Sequence, residues 1–474
     1  MRLMPVSDAM FLMAETRETP MHVGGINLYT LPDKVDETEW LNEQLAILRQ
    51  SEGLRKPFSE VLKLTPFGQY GPIRLQPDRD IDMHYHVRAA ALPKPGRYRE
   101  MFELASRLHG TLLDRTRPMW ELTLISGLPD RQIATYFKIH HALMDGASSM
   151  HFTNSMLSAD PGERRAHSPM SVEAFEAYKR QFPTPKRKSP LPSLTDLGEI
   201  GAFLKEQWGN SVGVTKALNQ YAAALFGVGG DGLTTPWAGV PRTSFNRNIT
   251  GARRFVAQSW SLDRVRAMGK AYDGTINDAV LGMCSGAMRK YLQSLNELPD
   301  RPLKAMAPVS IRAKDDVDSA NSVAAATANL ATHIDDPAER MKAIQESMNA
   351  AKAQLRSMTA QQIQIYTAIT QMPQMLTALT RTADKFPAYS VTISNVPGPR
   401  EQLYWNGARL DGMYPASIPV DGMAMNLTQV SNNKNIDFGI TACRRSVPHA
   451  QRMIDYLEEA LVELEQAAGI RKRK

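Results

Sequence analysis

The sequence predicts an α/β protein built from two domains. A chain of 474 residues exceeds the length of about 250–300 residues at which a single hydrophobic core stops growing. Strand-like alternation and helix-like periodicity occur in both halves of the chain. A segment rich in proline and basic residues, 159–192, separates the halves and is typical of a linker. We therefore expect an N-terminal domain over residues 1–180, a linker and helical crossover over 181–245, and a C-terminal domain over 246–474.

The composition is that of a globular protein. Hydrophobic residues make up 43% of the chain and charged residues 22%. This composition argues against a mainly disordered chain. The two cysteines, Cys284 and Cys443, exclude a disulfide scaffold and are expected to be buried thiols. Asp8 and Glu15 interrupt the apolar N-terminus, and no run of about 18 apolar residues occurs. We expect a cytoplasmic protein, or one attached to a membrane surface.

The net charge of +7 and the pI near 9.2 favour anionic partners, such as nucleic acid, anionic lipid or the phosphates of coenzyme A. Much of the excess lies at residues 186–188 and 471–474, where a solubilising linker and tail is the simpler interpretation. The sequence has no zinc-ligand spacing and no recognisable nucleic-acid-reading motif. Neither a metal nor a nucleic-acid partner is therefore expected.

The segment 131–146 (RQIATYFKIHHALMDG) carries the strongest functional pattern. Its first part alternates with a period of two, as strands do. The same parity places His141 on the apolar face and His140 on the opposite face. Asp145 and Gly146 are turn residues that end the strand soon afterwards. The carboxylate of Asp145 can fold back to orient the imidazole of His141, or pair with a distant arginine.

This arrangement suits proton transfer. An imidazole titrates near pH 6.5, so it is available as a neutral base at physiological pH. Acyl transfer to an alcohol requires removal of the hydroxyl proton, to which a positioned base contributes about 10²–10⁴-fold. The sequence has no recognisable GxSxG nucleophile motif, and no covalent intermediate is required. The plainer interpretations are a structural His–Asp pair or a pair of metal-binding histidines.

Three helical segments flank these features. Residues 194–226 are helix-like and end at a glycine cluster, 227–232, and residues 451–467 form an amphipathic helix. Residues 357–380 carry no charge and repeat apolar residues every three positions, although Pro373 should kink or end the helix. This last segment is an internal helix packed between the domains, the wall of an acyl or alcohol tunnel, or a face that touches a membrane.

The motif and six further blocks resemble one family. HHALMDG (residues 140–146) resembles the HHxxxDG signature of the wax ester synthase/diacylglycerol acyltransferase family. That family is related to the chloramphenicol acetyltransferases and to peptide-synthetase condensation domains. The other blocks follow in the family's order over nearly the whole chain. They are VSDAMFL (6–12) with TPMHVGG (19–25), RPMWE (117–121), TINDAVL (275–281), PVSIR (308–312), SNVPGP (394–399) and DFGITAC (437–443).

The resemblance implies two chloramphenicol-acetyltransferase-like α/β domains, each a mixed sheet with helices, that meet along an active-site channel. It implies that His141 is the general base in the middle of this channel and that Asp145 chiefly holds the loop. Acyl-CoA would enter from one mouth and the alcohol from the other, with no bound cofactor. The supporting positions that it carries over are His140, Gly146, Asn277, Asp278 and Arg312.

Some of these positions have a plainer interpretation. Asn277 and Asp278 precede a helix-like run, and Asn and Asp commonly cap helices. Arg312 follows a strand-like segment and can pair with a carboxylate such as Asp145. The family often has Gly-Asn where this chain has Ala-Asn at 320–321, so the loop there departs from the family's pattern.

Three functions are compatible with these sequence features. The first is transfer of a fatty acyl group from acyl-CoA to a long-chain alcohol, giving a wax ester, or to diacylglycerol, giving triacylglycerol. The second is a non-catalytic acyl-CoA or lipid carrier with the same fold, and the third is a metal-dependent phosphohydrolase. The intact His141 and Asp145 favour the first, and further His and Asp clusters that the third requires are absent from the sequence. Peripheral contact with a membrane or lipid droplet is also expected, aided by the basic tail.

Overall fold

Two six-stranded sheets dominate the computed structural model of the chain, which describes residues 1–66, 68, 71–180, 219, 221–223, 233–310 and 323–470. The strands are β1 (Arg2–Leu3), β2 (His22–Thr30), β3 (Glu60–Lys63), β4 (Arg74–Pro77), β5 (Val87–Ala91), β6 (Trp120–Ser126), β7 (Gln132–His140), β8 (Arg253–Ser261), β9 (Lys304–Ser310), β10 (Val323–Asn329), β11 (Val391–Val396), β12 (Tyr404–Trp405), β13 (Ala408–Ala416), β14 (Met425–Asn432) and β15 (Asn435–Cys443). The helices are α1 (Val6–Ala14), α2 (Glu37–Leu48), α3 (Met83–His86), α4 (Tyr98–His109), α5 (Gly146–Met156), α6 (Val172–Lys179), α7 (Leu262–Ala271), α8 (Ile276–Ser294), α9 (Pro337–Arg356), α10 (Ala360–Leu379) and α11 (Arg452–Ala467).

The N-terminal sheet has the order β12-β13-β2-β7-β6-β5. The two strands at one edge, β12 and β13, come from the C-terminal half of the chain, so a distant segment completes this sheet. Strand β7 lies in the interior of the sheet, between β2 and β6, and residues 133–140 are all buried. Its position is therefore held by hydrogen bonds on both edges and by packing on both faces.

The C-terminal sheet has the order β10-β9-β11-β14-β15-β8. Helix α8 packs against α9 and α11 and, with the sheet, forms an apolar core. Both Cys284 and Cys443 are buried free thiols in this core, as predicted. A small third sheet, β1-β4-β3, joins the N-terminus to the first domain.

The two large sheets meet where β15 crosses β13. The carboxylate of Asp437 on β15 accepts hydrogen bonds from the backbone N–H of Met413 (2.7 Å) and from Asn432 Nδ2 (3.0 Å). A side chain at Gly439 would overlap the carbonyl oxygen of Pro415. The Asp-Phe-Gly residues of the DFGITAC block are therefore explained by this junction: the aspartate binds the crossing strand and the glycine lets it approach.

Among the described residues, the elements that were predicted from periodicity are found in the structure. Strands β7 and β8 and helix α11 lie where the sequence places them. Pro373 does not end the helix, because α10 continues through it to Leu379, and the alternative of a kink stays a prediction. A proline removes one hydrogen bond of the helix ladder, and here the helix does not end.

Several predicted features fall outside the described residues, namely most of the 194–226 helix, the glycine cluster at residues 227–232, the basic segments 186–188 and 471–474, and the loop at 320–321. The domain boundaries at 180 and 245 stay a prediction. In the part of the chain that the structure covers, no helix is long and apolar enough to cross a membrane.

Candidate active site

The histidine pair lies at the end of β7, and three sequence blocks meet there. The N–H of His140 donates to the carbonyl of Met119 (3.0 Å), which precedes β6. The N–H of His141 donates to the carbonyl of Met21 (2.9 Å), which precedes β2. Met119 belongs to RPMWE and Met21 to TPMHVGG, so both flanking blocks hold the backbone of HHALMDG.

The imidazole of His141 is partly buried and stacks on Phe11, with ring centroids 4.1 Å apart and planes inclined by 16°. Its Nδ1 is buried and has no hydrogen-bond partner among the described residues. Burial lowers the pKa of His141 to about 4. The charge of Asp145 raises this pKa, but by less than burial lowers it. The ring is therefore neutral at physiological pH and has a lone pair with which to accept a proton. Phe11 was not predicted as a site residue.

Asp145 caps the helix that follows the motif. Its Oδ1 accepts a hydrogen bond from the backbone N–H of Ser148 (2.8 Å), which satisfies one of the N–H groups at the start of α5. Its carboxylate is buried, and its charge acts on the imidazole of His141. The suggested ion pair with Arg312 lies outside the described residues.

His140 faces a buried carboxylate that the sequence analysis missed. The ring is fully buried, with Nδ1 accepting from the N–H of Ala142 (3.1 Å) and Nε2 lying 3.4 Å from Glu15 Oε1. Glu15 also binds Arg115. His140 and His141 were predicted to lie on opposite faces of the strand. The face of β7 that carries His140 is buried, as is the face that carries Ile139's neighbours Phe137 and Ile133. The sequence signal that could have identified Glu15 is its position, a glutamate directly after the apolar helix α1.

The C-terminal half approaches the motif at Gly146. The nearest atom to a side chain built at Gly146 is Val396 Cγ2, at the end of β11, 3.9 Å away. The SNVPGP loop begins there, and Gly398 N donates to Ser431 Oγ (3.0 Å). A side chain at Gly398 would overlap the carbonyl oxygen of Ser431. This loop therefore packs tightly on β14 on one side and lies beside the motif on the other.

Asn277 and Asp278 lie in the first turn of α8, and their described contacts are structural. The N-cap of α8 is Thr275, which is a correction to the expected capping role of Asn277. Asp278 completes a capping box, accepting from the Thr275 N–H (2.9 Å) and Oγ1 (2.7 Å). Asp278 also lies 3.7 Å from Lys352 Nζ. The position of Arg312 is not among the described residues.

Two further buried histidines lie behind the pair. His22 is the cross-strand neighbour of His140, and its Nε2 donates to the carbonyl of His109 (2.8 Å). Burial lowers the pKa of His22 well below its usual value and that of His109 to about 3, so both rings are neutral. Within the described ranges, no three His, Cys, Asp or Glu side chains are grouped as a metal site requires. The expectation of a metal-free reaction stays a prediction.

A small pocket lies in the C-terminal half, between β10, α9 and α10. His141 is not among the residues that line it. Helix α10 also contacts α1, the helix that carries Phe11. Ile363 of the uncharged segment is buried in an apolar cluster, and other α10 residues line the pocket, so the role predicted for this segment stays a prediction. The polar lining includes Tyr221, Thr327, Gln354, Tyr366, Gln371 and Tyr389.

Comparisons with known proteins cover the full chain. The model of the wax ester synthase/diacylglycerol acyltransferase catalytic domain matches residues 4–280, and that of the WS/DGAT C-terminal domain matches residues 319–465. A probable diacylglycerol O-acyltransferase of Mycobacterium tuberculosis is 42% identical over 473 residues, which are 99% of this chain and 100% of the relative. The O-acyltransferase WSD of Acinetobacter baylyi is 38% identical over 462 residues, covering 97% and 96%.

Solved structures agree with the predicted fold class. The wax ester synthase/diacylglycerol acyltransferase from Marinobacter aquaeolei VT8 superposes with a TM-score of 0.77 at 38% identity, covering 99% of this chain and 100% of that one. The first condensation domain of the CDA synthetase superposes with a TM-score of 0.58 at 14% identity, covering 98% and 95%. The second likeness concerns the fold alone. The prediction of two mixed-sheet units with helices is confirmed.

Proposed function

Because the chain belongs to the wax ester synthase/diacylglycerol acyltransferase family and is an acyltransferase, we propose that it acylates the hydroxyl of a long-chain alcohol or a diacylglycerol. The acyl donor is acyl-CoA, and the products are wax ester or triacylglycerol with CoA. One observation carries the chemistry. His141 is an imidazole on a fixed strand end, kept neutral by burial and aligned by the ring of Phe11.

In the proposed reaction, a ring nitrogen of His141 takes the proton of the acceptor hydroxyl while the oxygen attacks the thioester carbonyl. The new C–O bond forms, the tetrahedral intermediate collapses, and the C–S bond breaks. The CoA thiolate leaves and takes the proton from the imidazolium, which returns His141 to its neutral form. The base contributes about 10²–10⁴-fold, and alignment of thioester and hydroxyl contributes the larger part.

Asp145 and Gly146 serve this step in different ways. The negative charge of Asp145 opposes the effect of burial on His141, so it stabilises the imidazolium that forms during catalysis. At Gly146 a methyl group would meet Val396 at 3.9 Å, which is ordinary van der Waals contact. Packing between the two halves therefore does not require this glycine. We assign the room beside it to the thioester end of the donor, because backbone without a side chain permits close approach of a ligand.

The test is a product assay in which palmitoyl-CoA is offered with hexadecanol and a diacylglycerol together. Released CoA and both esters are measured for the wild type, for His141→Ala and for His84→Ala, whose histidine is exposed on α3. We expect ester and CoA in equal amounts from the wild type and from His84→Ala, and loss of at least about 10²-fold in His141→Ala. Full turnover by folded His141→Ala would exclude His141 as the base, and acyl-CoA binding without ester would favour the carrier function.

The pH profile adds a second check. Because burial lowers the pKa of His141 to about 4, the base stays deprotonated well below the range of an ordinary histidine. The acid limb of kcat/KM should therefore fall near pH 4 to 5 rather than near 6.5. An acid limb near 6.5 would contradict the burial of the base in the free enzyme.

We also propose that the protein contacts a lipid surface through the edge where α1 begins. Across the small sheet, Leu3 lies opposite Arg74, and Arg74 lies opposite Lys63. Exposed apolar and basic side chains are thus mixed on one edge, which suits an anionic lipid surface. Helix α1 runs from this edge to Phe11 beside His141. The exposed apolar side chains at this edge are Met1, Leu3, Val6 and Leu64.

Flotation with anionic and neutral vesicles tests this surface. The double variant Leu3→Ser/Leu64→Ser should bind anionic vesicles about tenfold more weakly, because each leucine is about 40% exposed and would bury apolar area in lipid. The control is Tyr98→Ser, another exposed side chain, beside Gln132 at the opposite end of β7. Equal binding by the double variant and the wild type would exclude this edge.

A further inference from the structure

Glu15 is a buried carboxylate to which the proposed reaction gives no role. It follows helix α1 directly, and its N–H donates to the carbonyl of Phe11 (3.1 Å). The residue is 6% exposed. Glu15 therefore ends the helix whose Phe11 ring stacks on the imidazole of His141.

The charge of Glu15 is balanced on one side by Arg115. Arg115 Nε and Nη2 donate to Glu15 Oε2 at 3.1 and 2.8 Å, and Nη2 also donates to the carbonyl of Leu12 (2.9 Å). A guanidinium that binds one carboxylate oxygen with two nitrogens holds the carboxylate in a defined orientation. The other oxygen, Oε1, is directed toward the histidine pair.

Two contacts of Oε1 lead to the backbone on either side of the His141 ring. The N–H of Met21 donates to Oε1 (2.9 Å), and the carbonyl of the same residue accepts from the N–H of His141 (2.9 Å). His140 Nε2 lies 3.4 Å from Oε1, and His140 Nδ1 accepts from the N–H of Ala142 (3.1 Å). Because Nδ1 is an acceptor, the proton of a neutral His140 is on Nε2, facing the carboxylate.

We propose that Glu15 is a positioning residue for His141, acting through Met21 on one side and through the tautomer of His140 on the other. This inference rests on the function proposed for His141. Loss of the carboxylate removes the oxygen 3.4 Å from His140 Nε2, and the other tautomer would turn Nδ1 into a donor facing the N–H of Ala142. The turn that carries His141 then loses its hydrogen bond. A displacement of about 1 Å at a reacting group can reduce the rate by about 10².

The experiment compares Glu15→Gln and Glu15→Asp with a matched control, Glu60→Gln. Glu60 is also buried, and Arg2 donates to it through Nε (3.1 Å) and Nη2 (2.9 Å), but its described contacts, with Arg2 and Lys56, do not involve the histidine pair. Kinetics for palmitoyl-CoA, Tm and the ¹⁵N shifts of the histidine rings are measured on the full chain. A His140→Gln variant assigns the resonances of His140.

In Glu15→Gln the amide oxygen should face the charged guanidinium of Arg115, so the NH2 group faces the two donors at Oε1 and a contact between donors results. We expect kcat to fall on the order of 10–100-fold with KM changed by less than about threefold, because ground-state binding is not touched. The His140 ring should shift from its Nε2–H form. Glu15→Asp keeps the charge and should retain more activity than Glu15→Gln, and Glu60→Gln should keep the wild-type kcat.

A wild-type kcat or an unchanged His140 tautomer in Glu15→Gln would overturn the proposal, and so would an equal fall in kcat in Glu60→Gln. If Glu15→Gln does not fold, the kcat criterion alone applies to Glu15→Asp, whose shorter side chain should still lower kcat below that of the wild type. Full turnover by His141→Ala would instead overturn the proposed function, and this result is separate from any result at Glu15.

Discussion

Two buried carboxylates, one beside the active-site turn and one at the junction of the sheets, are held in opposite ways. Burial alone would raise the pKa of Glu15, but contacts with His140, the N–H of Met21 and Arg115 lower it below its usual value. Burial raises the pKa of Asp437 to about 6, although its hydrogen bonds act against the rise. No Lys or Arg of the described chain forms an ion pair with Asp437.

The difference follows the partners: Glu15 lies beside the His140 ring and the Arg115 guanidinium, whereas the described hydrogen-bond donors to Asp437 are neutral. It also gives the two groups opposite effects on stability. Glu15 contributes stability above the pKa of an unfolded glutamate, and this contribution is lost as the pH falls through its lowered folded pKa. Asp437 binds its proton more tightly in the folded state, so its contribution is lost as the pH rises from about 4 to about 6.

The largest effect on stability is expected from Arg115→Met, which leaves the carboxylate of Glu15 buried without its guanidinium. Removing one partner of a buried ion pair costs about 3–5 kcal/mol. We expect the lower end, because the arginine side chain is 25% exposed. Chemical denaturation at pH 7 measures this loss.

The double variant Arg115→Met/Glu15→Leu serves as the control for this loss. An apolar pair in place of the buried ion pair should regain part of the stability, since no uncompensated charge remains. Its activity should be lower than that of Arg115→Met, because only the double variant removes the carboxylate beside His140. A double variant less stable than Arg115→Met would show that burial of the charge was not the source of the loss.

The next effect is a pH dependence at Asp437. Because its folded pKa is about 6 and its usual value is 3.8, the wild type should lose about 3 kcal/mol between pH 4 and pH 7 from this group. Asp437→Asn keeps an oxygen for the N–H of Met413 but does not titrate. The stability of the variant relative to the wild type should therefore increase by that amount over the same range, as measured by denaturation at the two pH values.

Asn432, which donates to Asp437, supplies a check on this interpretation. Asn432→Ala removes one hydrogen bond that lowers the pKa of Asp437 but leaves the titrating group, so its stability should depend on pH at least as strongly as that of the wild type. An Asp437→Asn variant whose pH dependence equals that of the wild type would contradict the raised pKa.

The sequence predicted the local elements of this site but not the contacts between them. The period-2 pattern of β7 is a property of a short segment and is found as predicted. The turn predicted at Asp145 and Gly146 is wrong in its position, because Asp145 is the N-cap and Gly146 the first residue of α5. The stacking of Phe11 on His141 joins residues far apart in the chain. No periodicity states which distant side chain meets a ring, so neither Phe11 nor Glu15 could be assigned by the same reasoning.

The sheet order shows the same limit at the level of the fold. Two α/β units were predicted, and two six-stranded mixed sheets are found. The insertion of β13 beside β2 could not be predicted, because strand pairing across more than 370 residues depends on register and packing rather than on the pattern within either strand. Gly439 is required because the backbone of β13 crosses it at Pro415, and the pattern within β15 does not contain this contact.

The smallest effect is expected at Asp278, a third buried carboxylate, which combines features of the other two. It accepts from Thr275, as a capping group does, and Lys352 Nζ lies 3.7 Å from its other oxygen. Asp278→Ala should cost about 1 kcal/mol, the usual value of a cap. Asp278→Asn should cost less than about half of that, because an amide oxygen can still accept from Thr275 and the lysine contact is long. Thermal unfolding of the two variants measures both values. If Asp278→Asn proves as costly as Asp278→Ala, the charge rather than the capping oxygen holds this end of α8, and Asp278 belongs with Glu15.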